Sequence, residues 1–180
     1  MPLVVRICFP EHHPVPDNTW DSSDPPESLE RAIIHEATLY DSAAAKGLQG
    51  SVLPQWYGLF MSNPAANTSR IFVSVLEDVG PAAGSDGHTI PAILVGDVLR
   101  KFDALHEAGI AHGDLETRHV RLGNGYARHD EDHGWSRRKG DDLGLRIIDL
   151  DRAQVSPEAV ANERLAVRKW LQVGGTGDWC

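Results

Sequence analysis

The sequence predicts a mixed α+β fold, because strand-type and helix-type patterns follow one another along its 180 residues. Their order is strand, helix, two strands, long helix, loop, short hairpin and helix, and no internal repeat is visible. Hydrophobic residues make up 41% of the chain and charged residues 24%, which is typical of an ordinary soluble domain. We therefore expect one domain over residues 1–180, with a small sheet-bearing part and a mainly helical part.

The first strand and helix follow from local composition. Residues 3–9 are short, rich in valine and isoleucine and closed by Pro10, which predicts a buried strand. A helix is expected to begin near Asp24 and Pro26, because an aspartate cap and a proline in the first turn both favour a helix start. Helical spacing predicts an apolar face made of Leu29, Ile33, Ala37 and Tyr40.

Two further strands are predicted at residues 53–60 and 70–76. In the second segment Ile71, Val73 and Val75 alternate with Phe72, Ser74 and Leu76, so both faces of that strand carry apolar residues. Asn63-Pro64 and Asn67 mark a turn between the two segments, so we expect an antiparallel pair. The glycine, proline, alanine and serine of residues 81–87 predict a linker after this pair.

The second half of the chain predicts the helical part. A helix is expected to open at Pro91 and to end at Gly109, with an apolar stripe made of Leu94, Val98, Phe102 and Leu105. Short strands are predicted at residues 120–122 and 143–150. Ser156-Pro157 predicts the start of a last helix. The packing side of that helix is predicted to comprise Val160, Leu165, Trp170 and Leu171.

Charge and composition limit the partners and the compartment. The net charge of −9, from 17 basic and 26 acidic residues, disfavours nucleic acid or an anionic membrane as the principal partner. No segment approaches the ~20 apolar residues that a membrane span requires. The two cysteines, Cys8 and Cys180, do not form a disulfide framework. We therefore expect an intracellular, cytoplasmic protein.

Two aspartates form the most informative motif of the sequence. His112-Gly113-Asp114 directly follows the long helix, and Ile148-Asp149-Leu150 lies in a later β-type segment. In a phosphoryl-transfer site one carboxylate lies beside the attacking hydroxyl, and another holds Mg²⁺ on the nucleotide phosphates. The motif therefore predicts that Asp114 and Asp149 converge on one cleft.

These motifs and the order of elements resemble the protein-kinase-like superfamily. The resemblance is closer to its fungal kinase-like and aminoglycoside-phosphotransferase-like branches than to typical Ser/Thr kinases. It implies a kinase-like fold with an incomplete N-terminal β lobe and hinge over residues 1–80, and a reduced, mainly helical C-terminal lobe over residues 81–180. It also implies an enzyme that uses ATP and Mg²⁺ to transfer a phosphoryl group to a hydroxyl of a protein or a small molecule.

By this resemblance, Asp114 is the catalytic-loop aspartate that orients the acceptor hydroxyl. His112 is expected to support the loop through hydrogen bonds rather than to shuttle protons. Arg118 matches an arginine that stabilises substrate or phosphate charge, although a structural salt bridge is an equal alternative. Asp149 takes the place of the Mg²⁺ ligand. His119 stands where the family has a second, amide ligand; it is either a metal ligand or a core histidine, and imidazole suits softer ions better than Mg²⁺.

The resemblance also implies a nucleotide site. Glu36 matches the helix glutamate that pairs with a strand lysine, and Arg6 stands in the position of that lysine. A planar guanidinium keeps the charge but not the shape of an ammonium. The alternative is that both side chains are solvated at the surface and do not form a functional pair. The segment from Glu77 to Val79 resembles the hinge, whose backbone N–H and C=O groups meet the adenine edge.

Two functions stay open at this point. Asp114 and Asp149 favour an active phosphotransferase. Arg6 and His119 favour a pseudokinase, in which the fold serves as a binding or regulatory module. The family has glycine-rich strands before the position of residues 3–9, and the lack of a counterpart in this sequence also favours the pseudokinase.

Overall fold

Helices and short sheets occur along the whole chain, so the predicted α+β class is confirmed. The structure, a computed structural model, describes residues 2–12, 26–63, 70–83, 90–123, 126–129, 134–137 and 144–172. Asp24, the turn residues Pro64 and Asn67, most of the predicted linker and Cys180 lie outside the described residues.

The helices are α1 (Pro26–Tyr40), α2 (Ala43–Lys46), α3 (Val95–Glu107) and α4 (Pro157–Gln172). The strands are β1 (Leu3–Cys8), β2 (Trp56–Met61), β3 (Phe72–Glu77), β4 (Ile110–Ala111), β5 (Val120–Arg121), β6 (Tyr126–His129), β7 (Gly134–Arg137), β8 (Arg146–Ile147) and β9 (Gln154–Val155). Within the described ranges, no helix is both long and apolar enough to cross a membrane.

The first half forms a three-stranded antiparallel sheet in the order β1-β3-β2. The predicted antiparallel pairing of the second and third strands is therefore confirmed. Alternate residues of β3 are buried, because one face of the sheet packs against α1. Tyr40 of α1 stacks on Trp56 of β2 with ring centroids 4.9 Å apart. This contact fixes α1, and with it Glu36, beside the sheet.

The first strand is correctly placed, but the expectation that it is buried is wrong. Leu3, Val5 and Ile7 are between 51% and 60% exposed. Within the described residues the strand pairs only with β3, and these three side chains lie on the sheet face opposite α1. A run of valine and isoleucine indicates a strand, but it does not show whether a second layer covers that strand.

The second half is built around α3. Its predicted stripe is confirmed, since Leu94, Val98, Phe102 and Leu105 are almost fully buried. Gly109 has the positive φ of a helix-ending glycine, at 81°. Trp170 of α4 packs edge-on against Phe102, with centroids 6.0 Å apart. The short antiparallel pairs β4–β9 and β5–β8 bring residues 110–121 against residues 146–155.

The last helix begins where the sequence predicts, and the Ser156 hydroxyl caps it through Ala159 N–H. The prediction that Leu165 packs inward is wrong, because its side chain is 74% exposed. The buried positions are Val160, Glu163, Val167, Trp170 and Leu171. They follow the helical period, so an acidic residue replaces an apolar one on the buried face.

Candidate functional site

The loop between β4 and β5 is held in one conformation by Gly113. This residue has a φ of 81°, and a Cβ built on it would lie 2.3 Å from the Arg152 carbonyl oxygen. Glycine adopts this conformation without strain and allows so close an approach of two backbones. The His112-Gly113-Asp114 motif therefore lies directly against the segment that follows Asp149.

Glu163 of α4 anchors the same loop. Its buried carboxylate accepts hydrogen bonds from the backbone N–H groups of His112 at 2.6 Å and Gly113 at 2.8 Å. A third hydrogen bond, of 2.8 Å, joins it to Nε2 of His106 on α3. Burial alone raises the pKa of Glu163, but these hydrogen bonds outweigh burial and hold the pKa below its usual value. The charged carboxylate thus ties the loop to both long helices of this half.

His112 links the loop to the strand that carries Asp149. The Asp114 N–H donates to Nδ1 at 3.2 Å, and Nε2 donates to the Ile148 carbonyl oxygen at 2.8 Å. A ring that accepts at one nitrogen and donates at the other is neutral imidazole. Complete burial lowers the pKa of His112 and favours the same neutral form. The supporting role expected for His112 is confirmed by these contacts.

His119 connects the two aspartates. It is buried, its Nδ1 lies 3.1 Å from the Asp114 carbonyl oxygen, and its Nε2 lies 3.2 Å from Asp149 Oδ2. Arg118 Nε also donates a hydrogen bond to Nε2, at 3.1 Å, so Nε2 lies between a donor and an acceptor. Burial alone lowers the pKa of His119, but the hydrogen bonds to Asp149 and Asp114 prevail and raise it. The same contact lowers the pKa of Asp149. Both pKa shifts favour the charged forms of the two residues.

Asp149 combines a strained backbone with an accessible carboxylate. Its φ is 70°, a left-handed conformation that residues other than glycine rarely adopt. Such conformations cost about 1–3 kcal/mol, persist only where the surroundings hold them, and cluster at functional sites. The side chain of Asp149 is 35% exposed. It is therefore fixed in place and still open to a ligand.

Arg6 and Glu36, which the resemblance pairs, are in contact. Arg6 Nη1 lies 3.2 Å from Glu36 Oε2. Glu36 Oε1 also accepts the Leu150 N–H at 3.4 Å, which ties α1 to the residue after Asp149. Burial raises the pKa of Glu36, Arg6 lowers it, and Asp149 adds a smaller increase, so that the net shift is upward. The guanidinium is half exposed, so part of its charge faces the neighbouring cavity.

A cavity of about 240 Å³ lies between the sheet, α1 and the Asp149 segment. Arg6, Glu36 and Asp149 line it on one side, and residues 76–80 line it on another. The walls also contain two buried polar atoms without a hydrogen-bond partner among the described residues, Tyr40 Oη and Arg121 Nε. Buried polar groups are almost always satisfied in folded proteins, so these two side chains retain hydrogen-bonding capacity beside the cavity.

The segment from Glu77 to Gly80 forms the wall that the resemblance assigns to the base. The N–H groups of Glu77 and Asp78 donate to backbone oxygens of Gln55 and Pro2. Among the described residues, the Val79 N–H has no such partner. Gly80 N–H donates to Asp78 Oδ1 at 2.9 Å and stabilises the turn. Val79 therefore retains a backbone donor next to the cavity.

A second cavity, of about 490 Å³, adjoins Asp114. Its polar lining comprises Asp114, Glu116, Arg152, Gln154, Asn162 and Glu163. Arg152 Nη1 lies 4.0 Å from Asp114 Oδ2, and the Asp114 side chain is 18% exposed. The two aspartates are thus joined through His119 but face neighbouring cavities. Arg118 is exposed and pairs with Glu116, and its Nε lies 3.1 Å from His119 Nε2.

The residues around Asp149 suit a metal ion that arrives with a nucleotide. Among the described residues, no group of three or more His, Cys, Asp or Glu could hold a metal ion by itself. Mg²⁺ at nucleotide sites takes one or two carboxylates and completes its shell with phosphates and water. Burial raises the pKa of Asp151, and the nearby charge of Asp149 raises it further. The two carboxylates therefore give this part of the site excess negative charge. His119 could bind a metal only through a ring nitrogen that carries no proton.

The structure brings together most of the predicted site residues: Arg6, Glu36, Glu77, Val79 and Asp149 line one cavity, and Asp114 and His119 lie next to it. Sequence reasoning missed Glu163, Tyr40 and Arg121. Tyr40 was expected only as a packing residue, and burial followed by the Glu36 charge raises its pKa well above the usual value. Helical spacing, which places position 163 between Val160 and Val167, is the one signal that would have identified Glu163.

Comparison with protein-family models and with curated proteins gives no match for this chain. Function is therefore inferred from the residues of the site.

Proposed function

We propose that this chain is an ATP-dependent phosphotransferase-type domain with a protein-kinase-like fold, which transfers a phosphoryl group to a hydroxyl acceptor. The nucleotide base lies against residues 77–80, and the phosphates lie towards Arg6 and Asp149. Asp149 holds Mg²⁺, which neutralises phosphate charge. Asp114 orients the acceptor hydroxyl from the adjoining cavity and accepts its proton.

One observation supports this proposal above the others. The half-exposed guanidinium of Arg6 and the accessible carboxylate of Asp149 line one cavity, together with Tyr40 and Arg121. A cavity with cationic and hydroxyl side chains and an accessible carboxylate suits an acceptor-rich ligand bound together with a cation. A nucleoside triphosphate with Mg²⁺ has this chemistry.

Thermal unfolding with and without nucleotide tests the proposal. At a nucleotide concentration 100 times Kd, binding adds about 2.7 kcal/mol of apparent stability. For a domain of this size that increment raises Tm by about 5–10 °C. We expect such a shift with Mg²⁺ and a purine nucleoside triphosphate, ATP and GTP being tested in turn. We expect Asp149→Asn to abolish it and the exposed control Asp41→Asn to retain it. Absence of a shift with both nucleotides, with Mg²⁺ or Mn²⁺, would refute the proposal.

The second candidate is a pseudokinase that binds nucleotide without transfer. The His119–Asp149 contact favours it, because the carboxylate needed for the metal lies 3.2 Å from His119 Nε2, and the raised pKa of His119 favours a positive charge beside that carboxylate. Release of inorganic phosphate from the Mg²⁺–nucleotide complex, with water in place of the acceptor, separates the two. Turnover that Asp114→Asn removes while nucleotide binding persists indicates the enzyme. Binding without turnover indicates the pseudokinase.

A further inference from the structure

Arg121 lines the nucleotide cavity but has no role in the proposed function so far. It is the second residue of β5 and is one of the residues that line the cavity, while its neighbours Val120 and Leu122 are buried in the core. Its Nε is buried and has no hydrogen-bond partner among the described residues. A guanidinium has five N–H donors and no acceptor, so a ligand beside Arg121 is favoured if it presents acceptors.

Arg121 lies at the base end of the cavity. The next residue, Leu122, donates its N–H to the Pro81 carbonyl oxygen at 2.8 Å. Gly80 approaches the same strand so closely that a Cβ on it would lie 2.3 Å from the Leu122 carbonyl oxygen. The wall assigned to the base therefore runs directly beside β5. The Arg6–Glu36 ion pair, which is assigned to the phosphates, lies elsewhere in the cavity, because Glu36 accepts the N–H of Leu150, the residue after Asp149.

The donors of Arg121 distinguish the purines by chemistry. A guanidinium is a planar fork that only donates. Guanine presents O6 and N7 as two adjacent acceptors, whereas adenine presents N7 beside its N6 amino donor. A guanidinium therefore pairs with both atoms of guanine, but opposes a donor to the adenine amino group. Glu77 and Asp78 line the same wall, and each has one carboxylate oxygen besides the one that accepts a backbone N–H. A carboxylate oxygen accepts from the N1–H and N2 amino groups, which only guanine presents.

We infer that the base end of this cavity is specific for guanine, with Arg121 as the specificity-determining residue, so that the nucleotide is GTP rather than ATP. The inference rests on the proposed function and changes only the base. It also departs from the adenine contact that the family resemblance implies for Glu77 and Val79. The backbone donor of Val79 remains compatible with either purine, so the selection lies in Arg121.

Calorimetric titration of the full chain with Mg²⁺ complexes of GTP, inosine triphosphate and ATP tests the inference. Inosine triphosphate keeps O6, N7 and N1–H and lacks only the N2 amino group. A bidentate arginine contact corresponds to about tenfold or more in discrimination, so we expect GTP and inosine triphosphate to bind at least about tenfold more tightly than ATP. We expect Arg121→Leu to weaken GTP binding by a similar factor, to leave ATP binding within about twofold, and the exposed control Arg164→Leu to change neither.

The order of the GTP, inosine triphosphate and ATP affinities of the unaltered chain tests the inference even if Arg121→Leu does not fold. Equal binding of ATP and GTP, or tighter binding of ATP, would overturn the inference while leaving the proposed function intact. Equal weakening of both nucleotides by Arg121→Leu would also overturn it, because the residue would then act on the phosphates. If no triphosphate binds, the proposed function fails and this inference fails with it.

Discussion

Replacement of Glu163 by alanine gives the sharpest test of how the Asp114 loop is held. The carboxylate accepts three hydrogen bonds, from His106 Nε2 and from the N–H groups of His112 and Gly113. A buried donor left without its partner costs about 1–3 kcal/mol. Two of the donors are fully buried and the third is partly buried, so we expect Glu163→Ala to lower the free energy of unfolding by about 3–5 kcal/mol.

The conservative variant separates charge from shape. Glu163→Gln keeps the volume and one acceptor oxygen, which can still serve two of the three donors, but sets its amide N–H₂ against the remaining N–H. We expect a loss of about 1–2 kcal/mol. Urea unfolding measures both variants, and Glu158→Ala on the exposed first turn of α4 is the matched control. Its loss should stay below about 1 kcal/mol.

The pH dependence provides a second readout of the same carboxylate. The folded pKa of Glu163 is lowered from its usual 4.5, so its contribution to stability is present above pH 4.5 and is lost as the pH falls through the folded pKa. The stability difference between the unaltered chain and Glu163→Gln should therefore shrink in acid. The reasoning is refuted if Glu163→Ala and Glu158→Ala destabilise the chain equally.

Three further predictions concern single residues of the site. Asp149→Asn should lower the pKa of His119, which NMR titration of the imidazole ring measures. The contact between the two side chains stabilises the fold most between pH 3.8 and 6.5. The contribution of Asp149 is lost as the pH falls through its lowered pKa, and that of His119 is lost as the pH rises through its raised pKa. Tyr40→Phe should raise the urea-unfolding free energy of the ligand-free chain by about 1 kcal/mol, because it removes an unpartnered buried hydroxyl; a marked loss would show that the hydroxyl has a partner. Gly113→Ala should cost more than about 2 kcal/mol in urea unfolding, and Gly109→Ala, with the same φ but open space around it, only about 1 kcal/mol; equal costs would contradict the proposed backbone clash.

Elements with a strong apolar period could be predicted from the sequence. The stripe of α3 and the antiparallel pairing of β2 with β3 depend on spacing and turn residues, and both are present. The short antiparallel pairs β4–β9 and β5–β8 also bring Asp114 and Asp149 close enough for His119 to join them, but the two aspartates line neighbouring cavities and not the one cleft that the motif predicts.

Errors arose where burial depends on the neighbouring element. Leu165 is apolar, yet it lies on the solvent side of α4, whereas acidic Glu163 is buried because two backbone N–H groups need an acceptor there. The exposure of β1 depends on which face of the sheet α1 covers. Arg121 alternates with buried residues, as a surface residue of a strand does. This pattern does not show that Arg121 lines a cavity.

The most direct test of the central claim is a crystal structure of the chain with Mg²⁺ and a non-hydrolysable analogue of GTP or ATP. We predict the base against residues 77–80, the metal bound to Asp149, and the terminal phosphate directed towards the cavity of Asp114. A nucleotide bound elsewhere, or one whose metal leaves Asp149 paired only with His119, would contradict the account.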